Sequence, residues 1–192
     1  MAAPSQVIVG NAGWSIPRAS AADFTGEGTH LERYGRRLCG AEISGLGEKR
    51  GPILVQLPPS FAFDARVAGR FLALLRARHD GPVVCEPRHA TWASAAAATL
   101  LSQHEVARVA ADPAPFPEAA VPGGWPGLVY YRLHGSPRTY WSRYDALRLG
   151  AWADALRRVP ARSEAWCVFD NTASGAAIAN AIELDRLLRP TS

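Results

Sequence analysis

Two short stretches carry residue types from which an active site can be built. Glu86-Pro87-Arg88-His89 and Arg132-Leu133-His134 each place an arginine two residues from a titratable side chain. Side chains alternate along an extended chain, so Glu86 and Arg88 share one face while His89 takes the other. Arg132 and His134 share a face in the same way. A carboxylate beside a guanidinium stays ionised, because the positive charge lowers its pKa; such a pair suits binding or electrostatic stabilisation better than proton donation. His134 has an ordinary pKa near neutrality and fits a general acid or base. Arg132 can clamp an anion through two parallel N–H groups. A third stretch, Asp170-Asn171-Thr172-Ala173-Ser174-Gly175, leads into a predicted helix. Helix starts favour anions through free N–H groups and the positive dipole end.

Asp112 ends another apolar run and joins Glu86 and His134 as the expected catalytic set. Arg88, Arg132, Asn171, Ser174 and Gly175 form the expected anion-binding set, with Asn11 and Trp14 contributed from the start of the chain. Each assignment has a plainer structural counterpart. Glu86 and Arg88 would brace a sheet end as an ion pair, and His134 would be a core histidine bonded to backbone. Thr172 or Ser174 would simply cap the helix. Asp112, Glu86, Glu42 and His134 are also permissive ligands for magnesium, manganese or zinc, but no local spacing such as HExxH supports a metal, and no cofactor is expected. Trp14, Trp92, Tyr140 and Trp141 sit near predicted loops, where aromatic rings stack on a sugar or base or pack at a rim.

Positioning these groups requires strands that end together. Residues 7–10, 53–57, 83–86, 106–111, 128–133 and 165–169 are short apolar runs that read as strands. Helical spacing marks 30–38, 64–79, 94–104, 144–158 and 174–189, with Asp64 capping the second and Gly81-Pro82 stopping it. A loop over 113–126 holds five prolines. Strands alternating with helices imply parallel βαβ units, with strands buried on both faces. Asn11, Glu42, Gln56, Glu86, Arg88, Asp112, His134, Asp170 and Asn171 follow the strands. In a parallel sheet or barrel these positions gather at one end, where such folds build their sites.

The chain has 192 residues, 48% of them hydrophobic and 20% charged, which fits a single domain with a sizeable core. No apolar run is long enough to span a bilayer, and the N-terminus carries no secretory pattern. Cys39, Cys85 and Cys167 form no CxxC pair and lie among apolar residues, so they read as buried thiols in a reducing, cytoplasmic setting. Net charge is +4, and Lys49 is the single lysine. The arginines are spread without a dense basic run, so a nucleic-acid footprint is only weakly signalled.

Several stretches together resemble the YecE-like (DUF72) family, a TIM-barrel family of uncertain biochemical role. They are Gly10-Asn11-Ala12-Gly13-Trp14, Ala41-Glu42-Ile43, Gly51-Pro52-Ile53-Leu54-Val55-Gln56-Leu57-Pro58-Pro59-Ser60-Phe61, Glu86-Pro87-Arg88-His89 with Trp92, Ala111-Asp112, Tyr131-Arg132-Leu133-His134-Gly135, and Phe169-Asp170-Asn171 with Gly175-Ala176-Ala177 and Asn180-Ala181. The resemblance covers almost the whole chain. It also marks departures: Asn11-Ala12 stands where the family has Thr-Ser, and Asp170 where it has a second Asn. After Ser44 the chain runs almost directly into Gly51, where the family holds a further strand and helices. A full barrel of this type takes roughly 250 residues.

The resemblance therefore implies a parallel TIM-like barrel lacking one strand–helix unit, with about seven strands, since closure depends on strand number and shear. The whole chain, 1–192, would be one shortened barrel domain. The exposed edge at the gap would invite a second copy of the chain as cover. The expected function is binding of a small phosphate- or carboxylate-bearing ligand at the strand ends, as an enzyme acting on it. The alternative is a non-catalytic binding or scaffold protein whose active site was impaired by the internal deletion. A nucleic-acid-associated protein is the weaker alternative.

Overall fold

A computed structural model describes residues 7–11 and 51–189. The expected helix at 30–38, the expected strand at Ala41-Glu42-Ile43, and Trp14 and Cys39 lie outside the described residues. Three helices begin where the sequence supplies a cap. Asp64 accepts the Val67 N–H at 2.9 Å and opens α1 (Ala65–Arg76). Ser94 caps α2 (Ala95–Gln103) through the Ala97 N–H, and Asp145 caps α3 (Ala146–Arg157) through the Arg148 N–H. In α1 the buried stripe is Ala68, Phe71, Leu72 and Leu75, the spacing of one helical face. The fourth helix, α4 (Ala176–Leu188), starts differently, at Gly175 with φ of 76° and no side-chain cap. The capping expected of Thr172 or Ser174 is therefore corrected: the Ser174 hydroxyl is drawn away to donate to the Trp141 carbonyl.

The strands are β1 (Val7–Asn11), β2 (Ile53–Gln56), β3 (Val83–Glu86), β4 (Val106–Arg108), β5 (Ala110–Asp112), β6 (Gly123–Gly124), β7 (Leu128–Leu133) and β8 (Glu164–Phe169). They form two four-stranded sheets, ordered β1-β8-β7-β5 and β2-β3-β4-β6. All pairings are parallel except β4 with β6. The fold is thus mixed α/β with parallel sheets and, among the described residues, four helices; the sheets do not close on each other there.

Two elements depart from the sequence reading. The strand expected over 106–111 is divided: β4 pairs with β3, β5 pairs with β7, and Val109 between them donates its N–H to the Cys85 carbonyl at 2.9 Å. One stretch of chain thereby serves both sheets. The proline-rich loop contains the two-residue strand β6, antiparallel to β4. Glycine permits it: Gly124 has φ of +67°, and a Cβ there would meet the Val106 carbonyl oxygen at 2.6 Å.

Apolar residues on alternate positions of each strand explain why both faces are buried. Val55, Val83, Cys85 and Val106 pack with α1 and α2 through Phe71, Leu75 and Leu101. Cys167, Phe169 and Leu133 pack with α3 and α4 through Leu149, Leu156 and Leu184. The intervening positions, Val84, Ala107, Val109, Leu128, Tyr130 and Val168, form one inner cluster drawn from both sheets. Neighbouring strand ends are consequently brought together at the carboxy-terminal edge.

Candidate functional site

The parallel register determines which side chains meet. Gln56 lies beside Glu86 at the ends of β2 and β3. Arg132 pairs with Val168 and Leu133 with Phe169, which sets Asp170 level with His134 just past β8 and β7. These side chains form one hydrogen-bonded cluster. Arg132 Nη1 donates to Glu86 Oε2 at 2.6 Å and also to Gln56 Oε1. Arg132 Nη2 donates to Asp170 Oδ2 at 2.8 Å. His134 lies between both carboxylates, Nδ1 at 2.9 Å from Asp170 Oδ2 and Nε2 at 3.2 Å from Glu86 Oε1. Arg88 Nη2 donates to Glu86 Oε1 at 3.0 Å and to the Tyr140 hydroxyl at 3.3 Å. Gln56 and Glu86 come from one sheet; Arg132, His134 and Asp170 come from the other.

Burial makes this cluster electrically demanding. Glu86, His134, Arg132 and Asp170 are all buried, whereas the Arg88 side chain is 23% exposed. Burial pushes the Glu86 carboxyl upward, but the His134 hydrogen bond and the Arg132 charge outweigh it and hold its pKa at about 2. Burial pulls the His134 imidazole down, yet its bonds to Asp170 and Glu86 prevail and its pKa is raised. Burial also lowers Arg88, and the Tyr140 hydroxyl with Glu86 more than restores it. His134 thus has a carboxylate at each ring nitrogen, an arrangement that favours its protonated form. Arg88, Arg132 and His134 gather around two carboxylates, Glu86 and Asp170.

A second network fixes the loop over this cluster. Gly135 has φ of +93°, and a Cβ there would lie 2.8 Å from the Ser142 carbonyl oxygen, so the turn after β7 requires glycine. Asn171 Nδ2 donates to the Ser142 carbonyl at 2.9 Å and to Asn180 Oδ1 at 3.0 Å. Asn180 also bonds both the N–H and the carbonyl of Tyr144. The Tyr144 hydroxyl takes the Gly135 N–H and donates to the Asp112 carbonyl. Ala173 N–H donates to the Tyr140 carbonyl at 3.0 Å.

Glu86, Arg88, Arg132 and His134 thus converge as the alternation of side chains requires, and His89 turns away to Thr91. Asp112 does not join them. Its partner in register is Leu133, one residue from Arg132, so its side chain takes the opposite face, where Arg148 lies 3.9 Å from Oδ2. Asn171 is fully buried in the loop network rather than directed to the ion cluster. Ser174 and Gly175 are exposed at the helix start and make no bond to the cluster. Asn11 is described only as the last residue of β1, and Trp14 and Glu42 lie outside the described residues. Among the described residues no group of three His, Cys, Asp or Glu side chains is arranged to hold a metal. No described helix is long and apolar enough to cross a membrane. Two shallow clefts lie away from the cluster, one against Tyr131 and Arg158, the other beside Arg76 and Glu105.

The sequence places Gln56 and Asp170 at the strand ends and Tyr140 near a loop, but it assigns none of the three to the catalytic or anion-binding set. For Gln56 and Asp170 the signal was a polar residue ending an apolar strand. Tyr140 is marked only as a loop aromatic; its place beside Arg88 depends on the loop fastened by Asn171 and Asn180.

Comparison with known proteins supplies the frame for this arrangement. No functionally curated protein matches the chain. A crystal structure of a DUF72 family protein from Enterococcus faecalis V583 is similar with a TM-score of 0.66 at 18% identity, covering 85% of this chain and 68% of that one. A DUF72 family protein from Thermotoga maritima MSB8 gives a TM-score of 0.62 at 23% identity, covering 82% and 64%. The chain thus spans roughly two thirds of the length of these relatives. The family described as "Protein of unknown function DUF72" matches residues 18–192, most of the sequence, and the chain belongs to that family.

Proposed function

We propose that the chain binds a small phosphate- or carboxylate-bearing anion at the carboxy-terminal ends of its parallel strands, in the frame of a shortened TIM-like barrel. One observation carries this reading: Arg88 is bonded to the buried cluster through Glu86, and it is the cluster's cation that reaches solvent. Arginine is the side chain suited to meet a carboxylate or phosphate through paired N–H groups. In an enzyme of this kind Arg88 would hold the anionic group and His134 would give a proton to the bound ligand, drawing on Glu86 and Asp170 to reposition its charge. Asp112 is left out of this chemistry because its carboxylate faces Arg148.

A second reading, a non-catalytic protein in which the cluster is purely structural, draws on a specific observation. Both nitrogens of His134 and both terminal nitrogens of Arg132 are already engaged by the protein. Isothermal titration at pH 6 with inorganic phosphate and with succinate separates the two. Anion binding should be measurable in the parent protein and should weaken by about tenfold or more in Arg88→Ala, the loss expected for a charge-assisted hydrogen bond. Absence of binding by either anion, or binding unchanged by Arg88→Ala, would leave the structural reading in possession.

A further inference from the structure

We propose, resting on the anion reading above, that the ligand is a phosphate monoester carrying a ring, and that Tyr140 is the surface on which the ring packs. Tyr140 is 40% exposed, yet it is not a loose surface residue. Its hydroxyl accepts from Arg88, and its ring stands edge-on to His134 with centroids 5.4 Å apart. It therefore touches both the solvent-reaching cation and the proposed proton donor. Its backbone sits at φ of 65°, a left-handed conformation that a bulky side chain adopts only when its surroundings impose it. The surroundings do so: Tyr140 N–H donates to the His134 carbonyl, and its own carbonyl accepts from Ala173. Strain of this kind, held against an ionic cluster, fixes an aromatic ring in one place beside the anion site.

The next residue extends that rim. Trp141 is 46% exposed, and the Arg138 guanidinium lies over its ring at 4.5 Å. Ser174 secures its carbonyl. An aromatic ring fixed beside a solvent-reaching cation suits a ligand with an anionic group at one end and a flat face at the other. A sugar ring and a heterocyclic base both offer such a face, so the shared chemistry is a ring joined to a phosphate.

Titration with inorganic phosphate, glucose 6-phosphate and adenosine monophosphate tests this, with thermal melting to verify that each variant is folded. At least one ring-bearing phosphate should bind about tenfold or more tightly than inorganic phosphate, and the choice between the two identifies the ring as carbohydrate or base. Tyr140→Phe should retain that preference; in Tyr140→Ala the ring-bearing phosphates should lose their advantage over inorganic phosphate. Equal affinity for all three in the parent protein overturns the ring inference and leaves the anion reading standing. A preference that survives in folded Tyr140→Ala also overturns it. Failure of all three to bind overturns this inference, and failure of succinate as well removes the anion reading beneath it.

Discussion

Arginine does opposite work at the two ends of these sheets. At the amino-terminal end, Arg76 closes α1 and donates to the carbonyls of His104, Gly81 and Glu105, at 2.7, 2.6 and 2.8 Å. Its partners are backbone groups with no titration, and its effect is to tie the helix to the turns before β3 and β4. At the carboxy-terminal end, Arg132 and Arg88 meet Glu86, Asp170, Gln56 and Tyr140, all side chains. An arginine spent on carbonyls is a fastener. An arginine set among carboxylates and an imidazole leaves charges that respond to pH and to competing anions.

Removing a centre of each network breaks the comparison most directly. Glu86→Ala would strand Arg132, His134 and Arg88 without their shared carboxylate, and loss of one partner from a buried ion network costs about 3–5 kcal/mol. Urea unfolding should show that loss. Arg76→Ala removes hydrogen bonds near the surface, where water can replace them, and should lower stability by a smaller amount, about 1–3 kcal/mol, without altering anion affinity. A larger loss from Arg76→Ala than from Glu86→Ala would reverse the assignment of roles.

The smallest effect is also the most selective, because the hydrogen-bond partners of Arg132 and Arg88 include ionisable side chains, whereas those of Arg76 are backbone carbonyls. The Glu86 pKa is depressed from 4.5 to about 2, so its contribution is complete above about 4.5 and is lost as pH falls toward 2. The His134 pKa is raised above 6.5, so its contribution is complete below that value and fades as pH rises through the raised pKa. Melting temperature should therefore fall on both sides of the weakly acidic range. His134→Gln should flatten the alkaline side, whereas Arg76→Ala should lower the whole profile without changing its shape. An alkaline decline that persists in His134→Gln would assign it to another group.

Local chemistry made much of this legible in the chain itself. Asp64, before an apolar stripe, marks α1, and the two-residue spacing in Glu86-Pro87-Arg88 and Arg132-Leu133-His134 puts each pair on one face. The same alternation, once the register is known, excludes Asp112: it is one residue out of phase with Arg132 across the β5–β7 pair. Register is a property of two strands, so neither strand's sequence contains it. Asn171 was misread for a related reason, since its partners Ser142 and Asn180 lie 29 and 9 residues away. The break at Val109 had no local signature either. Val106–Asp112 is a uniform extended run, and only the pairing of its halves with different neighbours divides it.

That division has a mechanical consequence. At Val109 the chain passes directly from one sheet to the other, while across the carboxy-terminal edge the sheets are held by opposite charges, Glu86 on one side and Arg132 with His134 on the other. The joint thus has a greasy inner half and an ionic outer half. An anion that draws His134 off Glu86 would act as a wedge in that outer half, and the angle between the sheets would record its arrival.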